Sequence, residues 1–244
     1  YSFSEQGRLP PSVPKDPLSI AFIKAGKEAG YQETDDISGY CQEGFGIFDR
    51  TVFKGERWST TRGYLDPVRD RDNLTILTKV LVCKLILENN KATGVSFIDN
   101  KDKVFNVKSK KEVILSAGAI GTPHILMLSG IGPKDHLKSM GINLKADLPG
   151  VGQNLQDHLE IYLQMECKRP VTLQRYYNFF GKMLVGARWL FARTGPGATN
   201  NFEVGGFIRS DVGVEHPDLQ YHFFPMAVRY DGKSPTTEHG FQAH

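Results

Sequence analysis

The residues best suited to chemistry in this chain sit in one short phrase, Gln156-Asp157-His158-Leu159-Glu160-Ile161-Tyr162-Leu163-Gln164. Strand-like alternation from Asp157 to Cys167 predicts an extended segment. In it His158, Glu160 and Tyr162 project from one face, and Asp157, Leu159 and Ile161 from the other. A histidine and a carboxylate sharing a face can hand on a proton or hold a cation. The alternative is the polar face of an ordinary antiparallel strand, which alternates in the same way. A metal site is the poorer reading, because a structural zinc wants about four ligands and only His158 and Glu160 are close in the sequence.

A second phrase runs from Val113 to Gly132, where an apolar run gives way to Ser116, Ala117, Gly118 and Ala119 and then to a helical pattern. Small residues let a ligand approach the backbone, and the N-terminus of the following helix favours an anion or an electron-rich group. A tight turn packing helix on sheet is the simpler alternative. The full GxGxxG fingerprint is not in the chain: Gly150-Val151-Gly152 follows a proline-containing loop and lacks the third glycine. Ser129 sits in no G-x-S-x-G elbow. The aromatic residues Tyr176, Tyr177, Phe179 and Phe180, with Trp189, Phe223 and Phe224, can either cage a cation or pack a core.

The elements that must position these groups can be read from caps and periodicity. Tyr1 to Pro17 reads as loop; Asp16 then offers an N-cap, Pro17 a first helical residue, and Gly30 a stop. Tyr31 to Pro67 shows no sustained period and predicts ordered loop. Leu74 to Leu115 predicts a β-meander, turning at Asn89-Asn90 and at Asp99-Asn100-Lys101-Asp102, and ending in a buried strand, Lys111 to Ala119. A helix follows that Thr122 caps and Pro123 opens, then a short one from Pro133 to Met140 ended by Gly141. After the strand up to Cys167, a helix is predicted in 176–193, with Phe180, Leu184, Ala187 and Leu190 or Phe191 on one face. Two strands follow, around Val204–Ser210 and Leu219–Val228.

Composition sets the limits. With 40% hydrophobic and 23% charged residues among 244, the chain can bury a core and is not disordered. Thirty Lys+Arg against 27 Asp+Glu give a net charge of +3, mildly basic at pI ≈ 8.6. The densest basic cluster (Lys108, Lys110, Lys111) is short and reads as a solvated face, so no nucleic-acid partner is expected. No apolar run approaches the roughly 18 residues of a membrane span, and no signal segment opens the chain. It starts without Met and stops inside a polar phrase, Glu238 to His244, so a piece of a longer protein is expected. Cys41, Cys83 and Cys167 are odd in number and widely spaced, which predicts buried thiols in a reducing compartment.

The residues also carry a resemblance. Gly118 to Gly132 (GAIGTPHILMLSGIG) resembles the second signature of the glucose–methanol–choline oxidoreductase family, and Leu148 to Glu160 (LPGVGQNLQDHLE) resembles the phrase that follows it. Glu43 to Pro67, GATNNFEVGGFIRS and LQYHFFP resemble the choline-oxidising members in particular, and the similarity runs across essentially the whole chain. The resemblance implies an α/β plus α+β fold, in which a doubly wound FAD-binding domain, incomplete here, joins an antiparallel-sheet substrate domain. Residues 1–157 would be the later part of the FAD-binding region with substrate-lining loops, and 158–244 the first part of the substrate domain.

It also implies FAD as cofactor, with Val82, Ala117 and Gly118 beside it. His158 and Glu160 would stand in the substrate site, Glu160 facing the trimethylammonium group of choline. Phe179 and Phe180 would supply the aromatic faces, where relatives tend to have tryptophans. The family's catalytic histidine and its dinucleotide fingerprint have no counterpart in this chain, so no catalytic residue is expected here. The implied reaction is oxidation of choline to betaine aldehyde by hydride transfer to flavin, in glycine betaine synthesis. Electrons would pass to a quinone-type or other respiratory acceptor rather than to a nicotinamide. Membrane contact would be peripheral, at the mitochondrial inner membrane in a eukaryote or the cytoplasmic membrane in a bacterium. Two alternatives remain. One is a choline oxidase or another alcohol or polyol oxidoreductase of the family, although a neutral substrate gains little from Glu160. The other is an inactive, flavin-free fragment.

Overall fold

The computed structural model describes residues 16–229 and 238–244, so nearly all of the expected opening loop lies outside the described residues. In chain order these form helix α1 (Pro17–Glu28) and strands β1 (Glu33–Thr34), β2 (Gly44–Ile47), β3 (Val52–Phe53) and β4 (Glu56–Arg57). Strands β5 (Leu81–Glu88), β6 (Lys91–Ile98) and β7 (Val104–Lys108) follow, then α2 (Gly118–Leu128), β8 (Ile131–Gly132), α3 (Lys134–Ser139) and β9 (Ala146–Asp147). The chain closes with β10 (Leu163–Glu166), α4 (Phe179–Ala192), β11 (Val204–Ile208), β12 (Leu219–Phe224) and β13 (Gly240–Ala243). Contacts gather these into two units: residues up to 71 with 160–244, and residues 72–159 between them.

The first unit is built on a six-stranded sheet, ordered β1-β2-β11-β12-β13-β10 and antiparallel except for the β1–β2 pair. Helix α1 starts as the sequence predicts: the Asp16 carboxylate accepts from the Leu18 and Ser19 amides, Pro17 opens the first turn, and Gly30 follows the last at φ +93°. Ile23 of α1 is buried with Phe45, Val204, Ile208 and Phe223 of the sheet, and the Phe22 ring stacks on Phe223 at 4.7 Å. Phe45 fills a slot between two glycines. A Cβ on Gly26 would lie 2.5 Å from its ring, and one on Gly206 would lie 2.8 Å from it. The stretch 31–67 is not all loop, since β1 and β2 pair there and β2 joins the central strands. Glycine is a poor strand former, which hides Gly44-Phe45-Gly46-Ile47 from a propensity reading. Here it is needed, because a Cβ on Gly44 would lie 2.6 Å from the Gln32 carbonyl oxygen.

Helix α4 falls inside the predicted range, capped by Asn178, whose Oδ1 accepts from the Gly181 amide at 2.7 Å. Its apolar face is not core: Phe180, Leu184, Leu190 and Phe191 are all exposed. What holds the helix is the opposite side, where the Trp189 indole N–H donates to the Gly55 carbonyl at 2.8 Å.

The second unit contains the predicted meander, β5-β6-β7, all antiparallel. Asn89 and Asn90 take left-handed φ values of 50° and 60°, which fits the two-residue turn that closes β5 on β6. Ser129 ties α2 to this sheet, its Oγ donating to the Ile125 carbonyl at 2.6 Å and accepting from the Leu85 amide at 2.8 Å. The expected buried strand before α2 does not form. Ile114 is 77% exposed, Val113 and Leu115 are half-buried, and the segment joins no ladder among the described residues. Helix α2 also starts earlier than expected, at Gly118, so Pro123 lies inside it. Thr122 still serves the N-terminus, from within the helix, by accepting the Ala117 amide at 3.0 Å. Helix α3 ends as predicted at Gly141, with φ +69°. None of the three cysteines is a buried thiol: Cys41 is exposed, and Cys83 and Cys167 are partly so.

Candidate functional site

The chemistry-bearing phrase has a different shape from the one expected. Residues 153–162 form no regular element, and β10 begins only at Leu163. The shared face of Glu160 and Tyr162 nonetheless exists, because the Tyr162 hydroxyl donates to Glu160 Oε2 at 2.7 Å. Strand pairing then brings distant residues to this pair. Leu163 lies opposite Ala243, which sets the Tyr162 ring 4.9 Å from the His244 ring, edge to face. The backbones of His222 and His244 exchange hydrogen bonds of 2.6 and 3.1 Å, carrying the ladder past Phe223↔Ala243. Phe202 stacks on Phe224 at 4.8 Å and lies 5.5 Å from His244.

These groups enclose a cavity of about 320 Å³ within the first unit, lined by Glu160, Tyr162, Phe202, Phe224, Arg229 and His244. Beneath it lies Gln242, only 2% exposed. Its Oε1 accepts from the Gln164 amide and the Val228 N–H at 3.0 and 3.1 Å, which leaves its NH2 to face His244 Nδ1 at 3.2 Å. An amide nitrogen only donates, so Nδ1 accepts and the imidazole is neutral, with its proton on Nε2. Burial also lowers the His244 pKa from its ordinary value, and the Glu160 charge opposes this in part. The walls thus include aromatic faces, one carboxylate and a neutral imidazole. That combination suits a cation that cannot donate hydrogen bonds, with the Arg229 charge in the same lining opposing it.

Not every residue singled out from the sequence joins this cavity. Phe179 and Phe180 open α4, 5.6 Å apart and 72% and 78% exposed, and neither lines it. His158 belongs to the other unit, where its ring is exposed and its amide donates to the Asp157 carboxylate at 2.8 Å. Phe202 and His244 were not visible from the sequence. They are 42 residues apart and meet only through the register of β12, β13 and the loop before β11. Among the described residues no group of His, Cys, Asp and Glu could hold a metal ion, and no helix is long and apolar enough to cross a membrane.

In the second unit, Val82 lies on β5 opposite Phe97, beside a register shift at Lys84. Ala117, the residue before α2, caps nothing with its own side chain; its amide is taken by the Thr122 hydroxyl, and the amides after it have no side-chain cap. Gly118 takes φ +82°, and a Cβ there would meet nothing within 4 Å. Uncapped amides behind an open, glycine-lined approach fit an electron-rich or anionic portion of a cofactor.

Comparison with known proteins gives a consistent picture. The GMC oxidoreductase family profile matches residues 10–160. The chain is 51% identical to an oxygen-dependent choline dehydrogenase of Brucella anthropi over 94% of its length, covering 41% of that protein. It is likewise 51% identical to one of Pectobacterium carotovorum over 96%, covering 42%. It therefore spans about two-fifths of the length of the curated relatives it matches. Among solved structures, a formate oxidase of Aspergillus oryzae studied for its FAD modification superposes with a TM-score of 0.82 at 25% identity, covering 93% of this chain and 44% of that one. The expected fold class, an incomplete FAD-binding domain with an antiparallel-sheet domain, agrees with these likenesses.

Proposed function

The chain belongs to the GMC oxidoreductase family, and we propose that the whole protein is an FAD-dependent oxidoreductase that oxidises choline to betaine aldehyde, as in glycine betaine synthesis. FAD, when bound, supplies the acceptor for a hydride from the alcohol carbon. The observation that carries the reading is the cavity at Glu160. A trimethylammonium group needs a negative charge and aromatic faces, and Glu160, Tyr162, Phe202 and Phe224 provide both in one place. The names of the relatives support the same substrate.

In this reading Glu160 holds the cation, Tyr162 fixes the carboxylate's orientation, and neutral His244 adds a polarisable wall without adding charge. His158, Phe179 and Phe180 are not part of this cavity and take no part in holding the cation. Val82, Ala117 and Gly118 hold the cofactor, with the open start of α2 facing its electron-rich atoms. Residues 1–157 then belong to the FAD-binding region with its substrate-lining loops, and 158–244 to the substrate domain. The grouping of residues up to 71 with 160–244 supports a substrate-side role for those loops.

Electrons pass on to a quinone-type respiratory acceptor through peripheral contact with a membrane, the cytoplasmic one in a bacterium or the mitochondrial inner one in a eukaryote. A second reading, molecular oxygen as acceptor, is favoured by the names of the bacterial relatives. Anaerobic mixing of the full-length holoprotein with choline tests the substrate: the flavin's visible absorption should bleach. A flavin reduced equally well by uncharged alcohols and not by choline would overturn the assignment. Reoxidation followed by stopped flow then separates quinone from oxygen.

A further inference from the structure

The first unit holds a second cavity, of about 420 Å³, in which the recurring wall residue is arginine. Arg50, Arg175, Arg188 and Arg193 line it together with the carboxylates of Asp16 and Glu203. Two of these arginines are engaged by carboxylates: Arg50 pairs with Glu203 at 2.6 Å, and Arg193 Nη2 with Glu56 at 3.1 Å. Asp16 is engaged by the Leu18 and Ser19 amides that it caps. Arg175 and Arg188 form no direct ion pair among the described residues, although the Asp16 carboxylate attracts Arg175 at longer range. Arg175 lies over the Tyr176 ring at 4.7 Å, and Arg188 Nε donates to the Thr194 hydroxyl at 3.1 Å. Nη1 of Arg193 is buried without a hydrogen-bond partner, which is costly unless something meets it.

The turn that ends α4 is shaped around this cluster. Arg193 takes a left-handed φ of 52° and Gly195 one of 83°, which folds Thr194 and Gly195 back along the helix. A Cβ on Gly195 would lie 2.9 Å from Arg188 Cδ, so the glycine makes room for the arginine's stem. Thr194 spends its oxygen on Arg188 and keeps its own proton to donate. Guanidinium forks with no carboxylate in hydrogen-bond reach, a hydroxyl donor and an orphaned N–H are what a tetrahedral oxyanion requires.

We propose that this cavity binds a phosphate monoester, a small free molecule whose dianionic head sits between Arg175 and Arg188. Four arginines against the two carboxylates Asp16 and Glu203 leave the lining with an excess of positive charge, which a dianion answers better than a single carboxylate does. The volume exceeds what inorganic phosphate fills, so there is space for the organic part of the molecule.

The test is calorimetric titration of the full-length holoprotein with glycerol 3-phosphate and with inorganic phosphate. A parallel flotation assay uses phosphatidylglycerol vesicles. Saturable binding of glycerol 3-phosphate is expected, weakened about tenfold to a hundredfold by Arg188→Gln and abolished by Arg175→Gln with Arg188→Gln. Lys101→Gln, in the β6–β7 turn of the second unit, should change nothing, and flavin reduction by choline should be unaffected throughout. If the double variant does not fold, Arg188→Lys and Thr194→Ala replace it, each expected to weaken binding severalfold. No saturable phosphate binding, binding that survives these variants, or binding to vesicles alone would each overturn the proposal.

Discussion

Replacing Glu160 with Gln in the full-length enzyme keeps the shape of the side chain and its hydrogen bond from Tyr162 while removing the charge. A methyl-covered nitrogen comes no closer than about 5 Å to a carboxylate, where the attraction is about 0.8 kcal/mol at the dielectric of water and about 3 kcal/mol at an effective dielectric near 20. Glu160 is exposed, which pulls towards the lower limit. Filling a 320 Å³ aromatic cavity with substrate expels the water that screens it, which pulls towards the upper. The expected loss of choline affinity is therefore roughly thirtyfold to a hundredfold, at about 1.4 kcal/mol per tenfold. The assay is KM and binding for choline beside its uncharged isostere 3,3-dimethylbutanol, which should lose less than about threefold because it lacks the Coulomb attraction. Equal losses for both would refute the reasoning and leave Glu160 as part of a solvated surface.

Arg229 lines the same cavity, so Arg229→Gln should tighten choline binding about fourfold, read from the same titrations. The lowered pKa of His244, caused by burial against the opposing Glu160, gives two linked pH effects below the ordinary histidine value of 6.5. The unfolded chain takes up that proton more readily, so the stability from the neutral imidazole is complete above 6.5 and is lost as pH falls through the lower folded value. Protonated His244 also repels the substrate cation, so choline affinity should fall over the same range, and His244→Gln should remove that limb of the profile. Glu203→Gln removes the charge that Arg50 pairs with, at a side chain 7% exposed, and with the Thr199 hydroxyl still accepting from Arg50 it should cost about 3 kcal/mol at most in denaturant unfolding of the full-length protein. Gly26→Ala should destabilise by about 1–3 kcal/mol despite alanine's better helix propensity, because Phe45 has a glycine on its other side and cannot move away.

Sequence was most legible where the signal is local. Asp16 and Pro17 start α1, Asn89 and Asn90 turn the meander, and Gly141 ends α3, because each depends on the chemistry of a few adjacent residues. It was least legible where tertiary contacts override propensity. The glycines of β2 disguise a central strand whose backbone must lie against Gln32 and Thr34. Val113 to Ala117 shows a strand pattern yet joins no ladder among the described residues. For the site, alternation placed Glu160 and Tyr162 on one side, and their hydrogen bond agrees. Phe224 was among the aromatics singled out as a possible cage, but local order could not supply Phe202 and His244, which reach the pair only through strand register. The apolar spacing of α4 suggested packing, but spacing identifies a face without identifying what covers it.

The central claim, that the cavity at Glu160 receives the quaternary ammonium group, is tested most directly by a structure of the full-length holoprotein soaked with tetramethylammonium. The cation should lie within about 5 Å of the Glu160 carboxylate, against the Phe202 and Phe224 rings. A cation seated instead on Phe179 and Phe180, with the Glu160 cavity filled by water, would contradict it.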